Sequence, residues 1–486
     1  MWNSRGVTQS DDRPAETPAG ANGVLVLALV VGLLRFAALG RWSLWLDEVY
    51  TLTDALHGKE IRNPLGYTLF AWFYSLTGSR PDELLLRLPA AVFGWCSIPL
   101  TAWCLRPFVG RRAAAFAALV VALSPWHLLW SQTARFYTLA GCLVLCGTRW
   151  TVDGLRGRDH GAVGLVGGLL ALAAAAATHP SAVLTVAGVV GVTLLARVTG
   201  RWPGGAEELR RAHLAWRILV VTTLVGAAAG SLWVIRVWTK WDERQGSGSP
   251  VHLLLSAGYL VTPGVGIGLL AGLWTILRRR LAWAAFLLGV LLAGAAVALG
   301  ASFFVRVSAQ YVFVFLPLVA GIAALPFGLP ASGARERVGR SLLLAVVLLP
   351  LAVETGLYFF VRNGDRPMWR EAYHFVFVRR DYSDLVVGVE APVGEYYWNP
   401  ASDDLRKLTQ VVYLNEFHAD VPREWARYGR RTWLIVNHEQ LEDWPALARD
   451  ELRRMLRESC RLVESFTVPW NPRDLDVHVY LFEPEA

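Results

Sequence analysis

Apolar runs of about 17 to 22 residues recur along this chain with almost no charge inside them, and that arrangement sets the fold class. Roughly 20 helical residues cross about 30 Å of hydrocarbon. The runs are Val24 to Leu39, Leu88 to Leu105, Ala113 to Trp130, Phe136 to Cys146 (extended by Thr133 to Trp150), Val163 to Ala177 and Ala182 to Ala196. They continue with Ile218 to Ile235, Leu253 to Leu277, Leu281 to Leu299, Val312 to Leu329 and Leu342 to Phe360. The sequence therefore predicts a polytopic α-helical membrane protein with about eleven transmembrane helices, within a range of about 10 to 12. With 54% hydrophobic residues and a mean hydropathy of +0.37, the 486-residue chain carries more apolar surface than a soluble protein of its size normally hides.

The polar segment 1–23 precedes the first run and has no Ala-x-Ala-type site close behind it, so that run is expected to stay as an anchor. Orientation follows from basic residues in short loops, which stay in the cytoplasm. One set of loops holds Arg106, Arg111, Arg112, Arg149, Arg156, Arg158, Arg197, Arg201, Arg210, Arg211 and Arg217, then Arg278 to Arg280, Arg335, Arg337 and Arg340. The alternate loops, Ser131 to Arg135, Thr178 to Pro180 and Ala301 to Gln310, carry almost none. This predicts a cell-membrane protein with a cytoplasmic N-terminus, a transmembrane domain over 24–361 and an extracytoplasmic C-terminal domain over 362–486. The net charge of +8 is largely this topological bias, so no nucleic-acid partner is expected.

After residue 362 short apolar strands alternate with charged helical stretches. Leu385 to Val389, Val411 to Leu414, Thr432 to Val436 and Val477 to Phe482 read as strands, and Trp369 to Val378 and Leu441 to Arg457 as helices, giving a small α/β domain. Of five cysteines, Cys96, Cys104, Cys142 and Cys146 fall inside predicted spans and Cys460 stands alone, so packing residues are expected and not a disulfide framework.

Chemistry-bearing residues collect on one membrane face. The long segment 41–87 between the first two spans carries Trp45-Leu46-Asp47-Glu48. Paired carboxylates there suit a general base acting on a hydroxyl, while the spacing alone favours a plainer role, Asp47 capping a helix over Val49 to Leu56. Arg62, before Asn63-Pro64-Leu65-Gly66-Tyr67, is placed either to bind a phosphate or to anchor at lipid headgroups, and Arg87 has the same two readings. Arg135 and Tyr137 at the third-to-fourth span junction, His179, and Arg306 with Gln310-Tyr311 fall on the same side. Arg35, toward the outer end of the first span, can snorkel, and Glu354, the main charge within a span, reads equally as a packed, hydrogen-bonded polar pair with Tyr358. Span centres are otherwise nearly free of charge and no repeated halves are evident, which weighs against a lipid or glycan transporter, the competing class.

These motifs, in order over about the first 180 residues, resemble the GT-C-fold glycosyltransferases of the protein-mannosyltransferase and aminoarabinose-transferase type. The resemblance lies in Trp45-Leu46-Asp47-Glu48, Asn63-Pro64-Leu65-Gly66-Tyr67, Arg87-Leu88-Pro89-Ala90-Ala91-Val92-Phe93-Gly94, Leu123-Ser124-Pro125, Ala134-Arg135-Phe136-Tyr137 and Thr178-His179-Pro180. It departs at Gln310, where the family has Arg before Tyr311, and lacks the second Pro near Asn63. The resemblance implies an inverting transferase that moves a sugar from a polyprenyl-phosphate donor to a lipid, glycan or protein acceptor on the extracytoplasmic face. A ligase or polymerase of lipid-linked glycans is a further alternative. Asp47 would be the base and Glu48 its assistant, with Arg62, Tyr67, Arg87, Arg135, Tyr137, His179, Arg306 and Tyr311 binding substrate. No cofactor and no metal ligand are expected, and a divalent metal stays open because related folds differ.

Overall fold

A computed structural model describes the chain except residues 1–17, 58–62, 78–80, 158–160, 239–247, 399–410, 415–429, 443 and 484–486. The helices begin with α1 (Pro18–Gly32), α2 (Leu46–His57), α3 (Pro64–Thr77), α4 (Glu83–Val109), α5 (Arg111–Leu123), α6 (Pro125–Ser131) and α7 (Tyr137–Leu155). Next come α8 (Gly161–Thr178), α9 (Ala182–Val198), α10 (Gly205–Arg211), α11 (His213–Trp238), α12 (Pro250–Ser256), α13 (Pro263–Arg279), α14 (Ala282–Ala301), α15 (Leu316–Gly328) and α16 (Ala334–Phe360). Beyond them lie α17 (Trp369–Arg379) and α18 (Ala391–Trp398), with strands β1 (Leu385–Gly388), β2 (Val412–Tyr413), β3 (Thr432–Val436), β4 (Cys460–Phe466) and β5 (Val477–Phe482).

The chain is a polytopic helical membrane protein with a C-terminal α/β domain. Among the described residues six helices are long and apolar enough to cross a membrane, or eight if each bent pair is one span, and Gly20–Phe36 and Ala182–Val198 are shorter apolar helices. Two of the apolar runs are therefore not continuous helices. Between α5 and α6 the axis turns by 64°, where Ser124 caps α6 by accepting the His127 N–H and Pro125 takes a first-turn position, so the Ala113 to Trp130 run is broken. The Leu253 to Leu277 run breaks by 97° before Pro263, which cannot donate to a preceding turn.

Helices α5 and α15 are buried over Ala113 to Ala122 and Leu316 to Phe327, which places them at the centre of the bundle. Neighbours close on them through small residues, as membrane helices lacking a hydrophobic drive to associate commonly do. A Cβ at Gly272 of α13 would collide with the Ile322 carbonyl oxygen of α15, and one at Gly264 with that of Val346 in α16.

A second core joins the C-terminal sheet to helices from the first long loop. Leu44, Val49, Leu52, Tyr67, Phe70 and Tyr74 pack in one cluster with Trp369, Tyr373, Val387, Leu434 and Val479. The sheet runs β2-β1-β3-β5-β4, with β1 parallel to both β2 and β3 and β5 antiparallel to β3 and β4. Its fully buried β3 explains the continuous apolar run Thr432 to Val436. Strand β4, which the sequence reading leaves unassigned, shows little burial, so the apolar signal for it is weak.

Candidate active site

The site is built around the first turn of α2. Trp45 precedes the helix, and its backbone N–H donates to Glu48 Oε2 at 3.0 Å, the returning half of a capping box. Glu48, not Asp47, therefore caps this helix, which corrects the simpler reading of Asp47. Glu48 is fully buried and accepts four further bonds: Arg87 Nε at 2.8 Å, Arg87 Nη2 at 3.0 Å, Arg366 Nη1 at 2.5 Å and the Ala134 N–H at 2.8 Å. Burial raises its pKa, but Arg366 and Arg87 outweigh that and bring it down to about 2.

Arg87 is not arranged to meet a ligand. Its remaining donors reach the carbonyls of Leu39, Trp42 and Ser43 at 2.7 to 2.9 Å, so all five N–H groups are used within the chain. Arg366 spends its second nitrogen on the Gln132 carbonyl and Thr133 Oγ1. Glu48 thus ties the first loop, the α6–α7 junction and the start of the C-terminal domain into one buried knot.

With Glu48 committed, the neighbouring Asp47 is left exposed on the helix surface. Arg135 reaches across from the α6–α7 junction, donating to Thr51 Oγ1 at 3.0 Å and lying near the Asp47 carbonyl at 3.4 Å. Burial lowers the Arg135 pKa, but the Asp47 carboxylate and Tyr137 more than compensate, so it stays a firm cation. Its buried Nε has no hydrogen-bond partner among the described residues.

Tyr137 follows, with its ring 4.4 Å from His179 and 4.5 Å from Trp130 between centroids, and His179 stacks 6.1 Å from Tyr311. Burial, with Arg135 nearby, pushes the His179 imidazole down to about 3, so it is neutral, and Ser181 holds its Nδ1 at 2.7 Å. Tyr67 stands edge-on to Phe136 at 4.7 Å and donates to Asp54 Oδ2 at 3.3 Å. Asp47, Arg135, Tyr137, His179, Tyr67 and Tyr311 therefore form one constellation. Arg306 is exposed beyond α14, and Arg62 lies outside the described residues.

Two other polar expectations change. Arg35 does not snorkel: it is fully buried and caps α5 at its break, donating to the carbonyls of Ala122 at 2.6 Å and Val121 at 2.8 Å, with His127 Nδ1 at 3.0 Å. Glu354 pairs with Arg362 at 2.7 Å, and Tyr358 instead donates to Gln132 Oε1 at 2.8 Å. Among the described residues no group of three His, Cys, Asp or Glu is placed to hold a metal ion. A cavity of about 540 Å³ opens between α17 and α18, lined by Arg370, Glu371 and Tyr397 and by none of the sequence-predicted residues.

ArnT from Cupriavidus metallidurans in its apo state superposes with a TM-score of 0.55 at 16% identity, covering 95% of this chain and 98% of that one. The same protein bound to undecaprenyl phosphate gives 0.52 at 16%, over 96% and 98%. The apo oligosaccharyltransferase of Archaeoglobus fulgidus gives 0.51 at 12% identity, over 87% of this chain and 70% of that one. This chain has the GT-C fold. No family model matches the sequence, and no curated protein does. At these identities the likeness concerns the arrangement of the chain, over nearly the whole of it in the case of ArnT.

Proposed function

We propose that this protein is an inverting glycosyltransferase that moves a sugar from a polyprenyl-phosphate carrier to an acceptor hydroxyl on the extracytoplasmic face. The observation that carries the reading is the division of labour within Asp47-Glu48. Five donated bonds and two guanidinium groups neutralise Glu48, while Asp47 stays exposed with the Arg135 cation beside it. An anion able to accept a proton and a cation able to receive negative charge are what such a displacement needs at one place.

In the reaction the acceptor oxygen attacks the anomeric carbon, its proton passes to an Asp47 carboxylate oxygen, and the bond from that carbon to the phosphate oxygen breaks with its electron pair. Attack opposite the leaving group inverts the centre. The departing phosphate gains charge that Arg135 offsets. His179, being neutral, contributes hydrogen bonding and shape, and Tyr137, Tyr67 and Tyr311 stand around the Arg135 cation. Glu48 acts through position: it fixes the turn that aims Asp47. The fold shared with ArnT, whose structure has been solved with undecaprenyl phosphate bound, supports a carrier of this class.

Carrier recognition is testable without a sugar. Undecaprenyl phosphate should raise the melting temperature of the purified protein more than undecaprenol does in the same detergent, and Arg135→Gln should remove most of that difference. Equal shifts from the alcohol and the phosphate would contradict the reading.

A further inference from the structure

The C-terminal sheet brings a carboxyl group of its own to Asp47. Strand β1 is flanked by β2 and β3, both parallel to it, and the chain leaves β1 toward β2 before crossing back to β3. The carboxyl ends of β1 and β3 therefore bound a topological switch point, the crevice where open α/β sheets usually take ligands. Glu390 lies two residues beyond β1, and the segment Asn437 to Gln440 follows β3. Gln440 Nε2 donates to Glu390 Oε1 across this crevice.

This end of the sheet packs against α2. The backbone N–H of Leu46, the residue before Asp47, acts on the Glu390 carboxyl, and the Leu44 N–H donates to Tyr397 of α18 at 2.8 Å. Glu390 is 4% exposed, and its Oε2 has no hydrogen-bond partner among the described residues. A buried carboxyl oxygen without a partner is costly unless it is protonated or meets a ligand. On the rim Tyr50 of α2 and Tyr413 of β2, joined by a side-chain hydrogen bond, are 39% and 38% exposed. Aromatic faces beside a carboxyl suit a saccharide, whose ring presents C–H groups to the one and hydroxyls to the other.

We propose that Glu390 is an acceptor-binding residue: a carboxyl supplied by the C-terminal domain that holds one hydroxyl of a saccharide acceptor while a neighbouring hydroxyl faces Asp47. This rests on the transferase reading above. Burial and the nearby Asp47 carboxylate push Glu390 up to about 8, against the opposing pull of Gln440, Leu46 and Arg473. Near neutral pH it therefore holds a proton and donates. The titratable groups facing it are Asp47 and Tyr50 from α2, Tyr373 from α17 and Arg473 from the segment before β5.

The test compares transfer of radiolabelled sugar from extracted polyprenyl-phosphate sugars to three acceptors: delipidated envelope oligosaccharides, a Ser/Thr peptide and water. Glu390→Ala should lower transfer to the oligosaccharides about tenfold or more, the worth of one lost hydrogen bond to the acceptor, and leave hydrolysis by water unchanged. Glu390→Gln, which keeps a neutral donor, should stay within about threefold of wild type at pH 7 and lose the decline in transfer above pH 8. The proposal is overturned by equal losses toward saccharide and water, by an unchanged Glu390→Ala, by an alkaline decline that persists in Glu390→Gln, or by transfer to the peptide alone. Absence of transfer by the wild type from every donor would overturn the transferase reading and this assignment with it; failure confined to the Glu390 variants leaves that reading standing.

Discussion

Replacing Glu48 by Gln tests whether this residue organises the site or takes part in the chemistry. The amide keeps the shape but turns an N–H₂ toward Arg87 and Arg366, leaving two buried guanidinium groups without an anion. Removing one partner of a buried ion pair costs about 3–5 kcal/mol, because the other charge is left uncompensated. That is a large share of the roughly 5–15 kcal/mol by which folded domains are stable, and with an unfolding entropy of about 2.1 cal/mol/K per residue it corresponds to a fall in melting temperature of roughly 3–5 °C for a chain of 486 residues. Tryptophan fluorescence during thermal unfolding in one detergent provides the assay, since Trp42 and Trp369 flank the knot. The pH dependence gives an independent readout. Glu48 has a folded pKa of about 2 against an ordinary 4.5, so its contribution is complete above the ordinary value and disappears as pH falls through that interval. Wild type should lose stability over that range more steeply than Glu48→Gln. A variant that melts with wild type and shows the same acid limb would refute the reasoning.

Asp47→Asn, by contrast, should leave stability within about 1 kcal/mol of wild type, because the side chain is exposed, while transfer falls about 10²- to 10⁴-fold, as expected when a general base is removed; a thermal melt beside the transfer assay checks both. Arg135→Lys should retain part of the activity and Arg135→Gln much less, since the lysine keeps the charge but not the fork that reaches Thr51; transfer at varied donor concentration reads the difference as a rise in KM. Gly272→Leu should destabilise the bundle by several kcal/mol or prevent folding, because α13 cannot stay against the Ile322 carbonyl, and yield on size-exclusion chromatography reports it.

Local signals carried the sequence reading well where function depends on neighbours in the chain. Hydropathy located the apolar segments, and short apolar runs located β1, β3 and β5, because each pattern is set by burial of that segment alone. Pairing across the chain was not legible. Arg366 lies 318 residues from Glu48, and no local pattern announces that an Arg-Pro after the last span closes a buried pair. Arg87 was misjudged for the same reason: an arginine beside a span reads as a surface cation until its five acceptors are seen. Glu390 lies two residues beyond β1, just past a stretch that the sequence marks only as a strand, and its approach to Asp47 depends on how that sheet docks on α2. The bends at Ser124 and Pro263 were hidden because hydropathy is blind to helix breaks, although the Pro residues were visible signals.

The most direct test of the central claim is transfer of radiolabelled sugar from membrane-extracted polyprenyl-phosphate sugars by purified wild type and Asp47→Asn, in the same detergent and at equal folded yield. The account predicts transfer by wild type with inverted anomeric configuration, and loss of transfer with retained carrier binding in the variant. Equal transfer by both proteins would contradict the role of Asp47, and a wild type inactive with every donor would contradict the enzyme itself.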